Sequence, residues 1–277
     1  MRICLGECGR VEKTRVKRRM LITGASAGLG AALAREYAAR GWDLILVARR
    51  EVRLQELAAE LKAAHDTNSQ VIAADLFSDT AIANLMETLG STRVDGLINN
   101  AGYGHPGSFL ASDWESHRKF NHLMSVVPIE LTRALLPAMA ERGFGRIMQV
   151  ASLAGHMPGS RGHTLYAAVK SYLIKFSESL NMEMLGTGVH VSALCPGFVL
   201  TEFHDVNGTR EGINSLPGFM VMDADVCARL AADALEANKP VFISGRVNRF
   251  LARLNRWVPA LGRKVMNSGS GKYRKSD

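Results

Sequence analysis

The 277-residue sequence has little cysteine: Cys4, Cys8, Cys195 and Cys227 form no CxxC pair and have no histidine at zinc-finger spacing. A disulfide framework is therefore not expected, and free thiols in a reducing, cytoplasmic setting are. The eight histidines are scattered without metal-ligand spacing, so no metal site is expected. No apolar run approaches the ~18 residues of an ordinary membrane-spanning helix. An apolar cleavable region behind the charged N-terminus is also missing, which argues against a signal peptide. No internal repeat with a period of roughly 20–50 residues is visible, which excludes solenoids and propellers.

What remains has the composition of a globular enzyme, with 47% hydrophobic and 22% charged residues. The net charge of +8 raises the question of a nucleic-acid or membrane partner until its distribution is read. Residues 1–19 carry seven Lys/Arg against Glu7 and Glu12, and residues 246–277 carry nine against Asp277. The body between them is net negative, so a basic nucleic-acid groove across the domain is not expected. Met20, directly before the first strand, leaves open whether residues 1–19 are a basic tail or a misassigned start.

Short apolar runs alternate with helix-period segments from Met20 to Ile243, which implies βαβ units and a parallel sheet with helices on both faces. Strands are predicted near 20–23, 43–48, 71–74, 94–98, 146–151, 190–194 and 240–243. Helices are predicted over Leu29–Arg40, Arg53–Ala64, Ala81–Leu89, Glu115–Arg142, Tyr166–Leu185 and Ala224–Asn238. The division expected is a basic tail (1–19), one catalytic α/β domain (20–245) and a basic amphipathic C-terminal segment (246–277). Segment 202–222, rich in loop signals, follows a strand end and is expected to be a substrate-covering lid.

Strand one runs into Thr23-Gly24-Ala25-Ser26-Ala27-Gly28-Leu29-Gly30. Glycines at such a turn let backbone N–H groups approach a pyrophosphate, and the helix N-terminus behind it supplies partial positive charge. At the end of strand two, where an NAD-preferring site places an acid, the sequence has Val47-Ala48-Arg49-Arg50. Two arginines suit a 2′-phosphate, so NADP(H) is favoured over NAD(H). Asp75, followed by Leu76, either accepts a hydrogen bond from adenine or caps its own turn. Asn99-Asn100-Ala101-Gly102 ends strand four with small residues that let the backbone run beside a cofactor.

Tyr166 and Lys170 lie four apart on a predicted helix and share a face. A phenol titrates near 10; a neighbouring ammonium and an oxidised nicotinamide both favour its ionised form and suit it to acid/base work. Ser152, at the end of strand five, is placed to polarise a carbonyl.

These motifs, TGASAGLG, NNAG, Ser152, Tyr166-Ala-Ala-Val-Lys170 and Cys195-Pro196-Gly197-Phe198-Val199-Leu200-Thr201, resemble the short-chain dehydrogenase/reductase family in order and approximate spacing over residues 20–243. The resemblance implies a Rossmann-type doubly wound α/β/α sandwich with a seven-stranded parallel sheet, hydride transfer with a nicotinamide, and a homodimer or homotetramer. It implies Tyr166 as acid/base, Ser152 fixing the substrate oxygen, Lys170 on the nicotinamide ribose and lowering the tyrosine pKa, and Asn121 holding a relay water. It places Gly24, Ser26, Ala27, Gly28, Leu29, Gly30, Asp75, Leu76, Asn99, Ala101, Gly102, Pro196, Gly197, Val199 and Thr201 at the cofactor. The phrases around Arg49 and Asn99–Phe109 resemble the NADP-using ketoacyl- and 17β-hydroxysteroid-type reductases. The serine-to-tyrosine spacing is one residue longer than in many members.

Leu153, His156, Met157, Phe198, Phe203, Phe219 and Met222 are expected around the substrate, an apolar set suited to an acyl, lipid-like, aromatic or steroid-like carbonyl; several of them could equally be core. After the last strand, Val247, Phe250, Leu251, Leu254, Trp257, Val258 and Leu261 recur at helical spacing between arginines. This basic amphipathic helix either packs on a neighbouring subunit or over the substrate entrance, or lies through residues 247–263 on an anionic membrane surface.

Overall fold

A computed structural model of the protein describes residues 17–104, 109–159, 164–200 and 218–258, except the side chain of Phe219. Seven parallel strands form one sheet: β1 (Arg19–Thr23), β2 (Asp43–Ala48), β3 (Ser69–Ala73), β4 (Gly96–Asn99), β5 (Gly145–Val150), β6 (Val189–Cys195) and β9 (Val241–Ile243). Their order is β3-β2-β1-β4-β5-β6-β9. Two short strands, β7 (Phe198–Val199) and β8 (Val221–Met222), pair separately beyond the end of β6. The chain reverses direction across the sheet between β1 and β4, where a doubly wound sheet opens a crevice beyond its strand ends. This is the Rossmann-type α/β/α architecture.

The sheet is central because its strands are apolar on both faces; all six residues of β2 are buried. Helices α1 (Gly28–Ala39), α2 (Glu51–His65) and α7 (Ala224–Glu236) cover one face with Leu33, Tyr37, Leu54, Leu61 and Leu235. Helices α3 (Ala81–Leu89), α5 (Val127–Glu141) and α6 (Thr164–Glu183) cover the other with Leu85, Leu131, Leu135 and Leu180.

Three sequence expectations are refined. Strand β3 begins two residues before the expected 71, and β4 starts at Gly96, after Asp95 has turned its fully buried carboxylate back to Arg93 and the Arg19 amide. The single helix expected over Glu115–Arg142 is α4 (Trp114–Asn121), a π-helical turn (His122–Val126) and α5. The Asn121 carbonyl accepts the Ser125 hydroxyl at 2.6 Å at this turn, a local widening that periodicity does not show. By length and composition Trp114–Glu141 could cross a membrane, but its apolar residues Leu123, Val127, Leu131 and Met139 are spent on the core.

The third concerns α8 (Arg246–Trp257). Its fully buried positions are Asn248 and Ala252, while Val247, Leu251 and Leu254 of the apolar stripe are half-buried. Phe250 and Trp257 are 63% and 82% exposed. The polar Asn248 is turned inward because its amide donates to the Ser244 carbonyl at 2.7 Å, and its side chain fills the space that Gly197 leaves open. The 3-10 turn Leu153–His156 receives the other end of the inner face, with Asn255 Nδ2 donating to the His156 carbonyl at 2.8 Å. Pro259 and Leu261 lie outside the described residues, as does most of the expected lid, 202–217.

Candidate active site

The loop from β1 to α1 is shaped by glycine. Gly24 and Gly28 have φ of +67° and +55°, a region that side chains other than hydrogen rarely adopt. A Cβ on Gly30 would lie 2.3 Å from the Gly24 carbonyl oxygen. Ala27 caps α1 without a side-chain hydrogen bond, and the first turn holds no acid, so the helix N-terminus presents its N–H groups to the crevice.

Two residues that the sequence reading passed over hold this loop. Thr23 Oγ1 accepts the backbone N–H groups of Asn100 and Ala101, each at 3.0 Å, and donates to the Ile98 carbonyl. Asn100 Nδ2 donates to the carbonyls of Thr23 and Gly24 at 3.0 and 3.2 Å. Both lie inside motifs whose sequence signal is the small residues and the backbone beside them. The side chain of Asn99, by contrast, faces away from the cofactor crevice: its amide donates to the Pro128 carbonyl and Thr132 Oγ1. Only the backbone of Asn99 is left to border the cofactor, because the alternation of a strand sends its side chain into the helix layer.

Arg49 and Arg50 leave β2 exposed. The Arg49 guanidinium lies 5.6 Å from the Phe77 ring centroid. Arg50 reaches back over the loop, with Nε and Nη2 each 3.2 Å from Ser26 Oγ. Asp75 Oδ1 accepts the Phe77 N–H at 3.2 Å, while the side chains of Leu76 and Val199 belong to the core. Together the helix end, the open glycines and the two guanidiniums fit a dinucleotide with an extra phosphate on its ribose.

Beyond β5, Ser152 caps the 3-10 turn, its Oγ accepting the Ala154 N–H at 3.1 Å. The same hydroxyl is hydrogen-bonded to Tyr166. Lys170, 7% exposed, donates to the Val150 carbonyl at 2.7 Å and lies 5.7 Å from the Tyr166 ring centroid. Gly155 sets the spacing of the turn and α6: a Cβ there would lie 2.8 Å from the Lys170 carbonyl carbon, and the Gly155 carbonyl accepts the Ser171 hydroxyl at 2.6 Å. Phe120 and Met124, on either side of Asn121, pack with Tyr166 and Val169, which brings the π-helical turn to the same cluster.

Leu153, His156, Met157 and Phe198 are half-buried beside these groups. Met222 pairs with Val199 across β7 and β8 and packs against the main core. Thr201 and Phe203, and the side chain of Phe219, lie outside the described residues.

Residues 18–211 match the profile of the family described as short chain dehydrogenase. The chain belongs to this family. A sulfoacetaldehyde reductase of Chromohalobacter salexigens is 38% identical over 190 residues, 66% of this chain and 73% of that protein. The NADP-dependent 3-hydroxy acid dehydrogenase YdfG of Escherichia coli is 36% identical, over 68% of this chain and 75% of its own. Among solved structures, a short-chain dehydrogenase from Sphingobium yanoikuyae in complex with NADPH superposes with a TM-score of 0.77 at 31% identity, covering 90% of this chain and 94% of that one. This short-chain dehydrogenase is an NAD(P)-dependent oxidoreductase.

In the short-chain dehydrogenase cluster burial and hydrogen bonding act on the titrating groups in opposite directions. Burial holds the Tyr166 phenol above its ordinary value, and the Ser152 hydroxyl opposes that shift only in part. Burial also lowers Lys170 to about 8. The Lys170 ammonium donates to the Val150 carbonyl rather than to the phenol. Burial likewise lowers His156, which favours its neutral form.

Proposed function

We propose that this enzyme interconverts an apolar ketone or aldehyde and the corresponding alcohol with NADP(H), the reduction being the favoured direction. The Ser152–Tyr166 hydroxyl pair, set beside Lys170 at the strand ends that also carry the glycine loop, is the observation that carries the reading. A dinucleotide whose pyrophosphate is held at that loop would supply or accept the hydride through its nicotinamide. The Tyr166 hydroxyl gives the proton to the nascent alkoxide, or takes it from the alcohol, while Ser152 holds the same oxygen. Lys170 is assigned to the nicotinamide ribose, from where its positive charge favours the ionised phenol. Asn121 is assigned to a water that links Lys170 to solvent.

The cofactor set is Gly24, Ser26, Ala27, Gly28, Leu29, Gly30, Arg49, Arg50, Asp75, Ala101, Gly102, Pro196, Gly197 and Thr201, with Leu76, Asn99 and Val199 contributing backbone. Leu153, Met157, Phe198 and Met222 support an acyl, aromatic or steroid-like substrate, Phe203 and Phe219 being added from sequence alone. Residues 20–245 are proposed as the catalytic domain. A homodimer or homotetramer is supported by exposed Trp114 and Val126 on the α4–α5 run and by Tyr172 and Met182 on α6. A reducing cytoplasm suits the buried free thiols Cys195 and Cys227.

Fluorescence titration with NADPH and NADH, on the wild type and on an Arg49→Asp, Arg50→Ala variant, tests the cofactor assignment. Tight NADPH binding that collapses in the variant is expected, with NADH affinity little changed. Equal binding of both cofactors by the wild type overturns it. With apolar ketones as substrates, Tyr166→Phe is expected to lose about 10²–10⁴-fold in turnover while NADPH still binds.

A further inference from the structure

Helix α8 has two unlike poles. Its inner pole is small and polar: Asn248 against Gly197, buried Ala252, and Asn255 on the His156 carbonyl, with half-buried Val247, Leu251 and Leu254 along one side. Its outer pole is the line Arg246, Phe250, Arg253 and Trp257, spaced by four, three and four residues and exposed throughout. Arg249 and Arg256 flank this line, and the helix contains no acid.

Rings at the outermost point of a helix, with guanidiniums between them, are costly in water and serve a boundary between apolar and anionic layers. The aromatic rings would sit at headgroup depth while the arginines extend to phosphates. A second copy of the same face is a poor occupant, because it would bring together two helices whose only charged residues are arginines. The chain continues past the described residues with five more Lys/Arg between 259 and 277 against Asp277, so the charge has the same sign where it leaves the helix.

We infer that the outer face of α8 attaches the enzyme to an anionic lipid surface. The inner face rests on the turn that carries Ser152 and on Gly197, so attachment brings that turn to one helix diameter, ~10 Å, from the lipid. Apolar substrates dissolved in the lipid would then be concentrated near it. The attachment itself does not depend on the proposed chemistry.

The test is co-sedimentation with phosphatidylcholine vesicles with and without phosphatidylglycerol. The full chain is compared with Arg246→Glu, Arg253→Glu and with Phe250→Ser, Trp257→Ser. The wild type is expected to bind only the anionic vesicles, less so as salt rises. The arginine variant is expected to lose at least about twentyfold in vesicle affinity. The aromatic variant should lose binding that salt does not screen. All the altered side chains are exposed, so unchanged thermal unfolding and NADPH affinity are expected and verify folding. Equal binding to neutral vesicles, or full retention by both variants, overturns the inference; retention would assign the binding to the terminal tails. Tighter binding to duplex DNA, lost in the same variants, would overturn it in favour of nucleic acid. A dimer that dissociates in both variants would overturn it in favour of a second copy.

Discussion

The two halves of the active site are held by different means. The cofactor half is built by residues close to the first and fourth strand ends, chiefly backbone groups clamped by Thr23 and Asn100 around glycines that admit nothing larger. The substrate half is assembled from segments distant in sequence: the turn after β5, α6, the strands β7 and β8, and α8. A backbone cradle tolerates no addition, whereas a side-chain assembly shifts with any of its parts. On the proposed reading the first half serves binding of a common cofactor, and the second is the part that can vary with substrate.

That difference is broken most sharply by one substitution in each half. Gly30→Ala places a methyl group 2.3 Å from a backbone oxygen that cannot move freely. It is expected to abolish NADPH binding and to cost about 3 kcal/mol or more in urea unfolding. Gly155→Ala pushes the Ser152 turn away from the Lys170 backbone. It is expected to lower turnover by about 10²-fold with NADPH affinity retained. Equal loss of NADPH affinity in both would show that the halves are one unit.

A smaller effect is expected of Asn100→Ala, which strips the donor from the Thr23 and Gly24 carbonyls. About 1–3 kcal/mol of stability should be lost, with weaker NADPH binding read by the same titration.

The subtlest test concerns Lys170, whose ammonium is buried against Val150. Its pKa falls from 10.5 to about 8 on folding. Below the lower value both states are charged and the folded state bears the whole cost of burial; above the upper value both are neutral and the cost is gone. Between them the unfolded chain binds more protons, so stability rises with pH. Lys170→Met is expected to flatten that rise, by up to about 3 kcal/mol, in urea unfolding across the window. A rise unchanged in the variant would assign it to another group.

Much of the proposed cofactor half was legible in the sequence, because Gly24, Gly28 and Gly30 are dictated by local backbone geometry and Arg49 and Arg50 follow a strand directly. Ser152, Tyr166 and Lys170 were legible as residues, through spacing and resemblance. Their electrostatic state was not: the direction of the Tyr166 shift depends on how deeply α6 is buried and on where the Lys170 ammonium points. Asn99 and Asn100 look equivalent in sequence, and only the pleat of β4 sends one into the helix layer and the other onto the glycine loop. The π-helical turn at Asn121 was hidden inside an unbroken helical period.

The sequence by itself determined the alternation of strands and helices, the glycine loop and the spacing of the serine, tyrosine and lysine, since each is set by short-range sterics or by periodicity along one element. Tertiary structure alone decided which positions of α8 are buried most deeply. Of the apolar stripe, Val247, Leu251 and Leu254 are half-buried and Phe250 and Trp257 exposed, while Asn248 and Ala252 are buried. The packing partner, however, is a glycine-lined strand exit and a turn with an open carbonyl, and those accept a small side chain and two amides. The physical chemistry of a helix face is fixed by what it meets, and the partners of α8 lie about 50 and 100 residues upstream in the sequence.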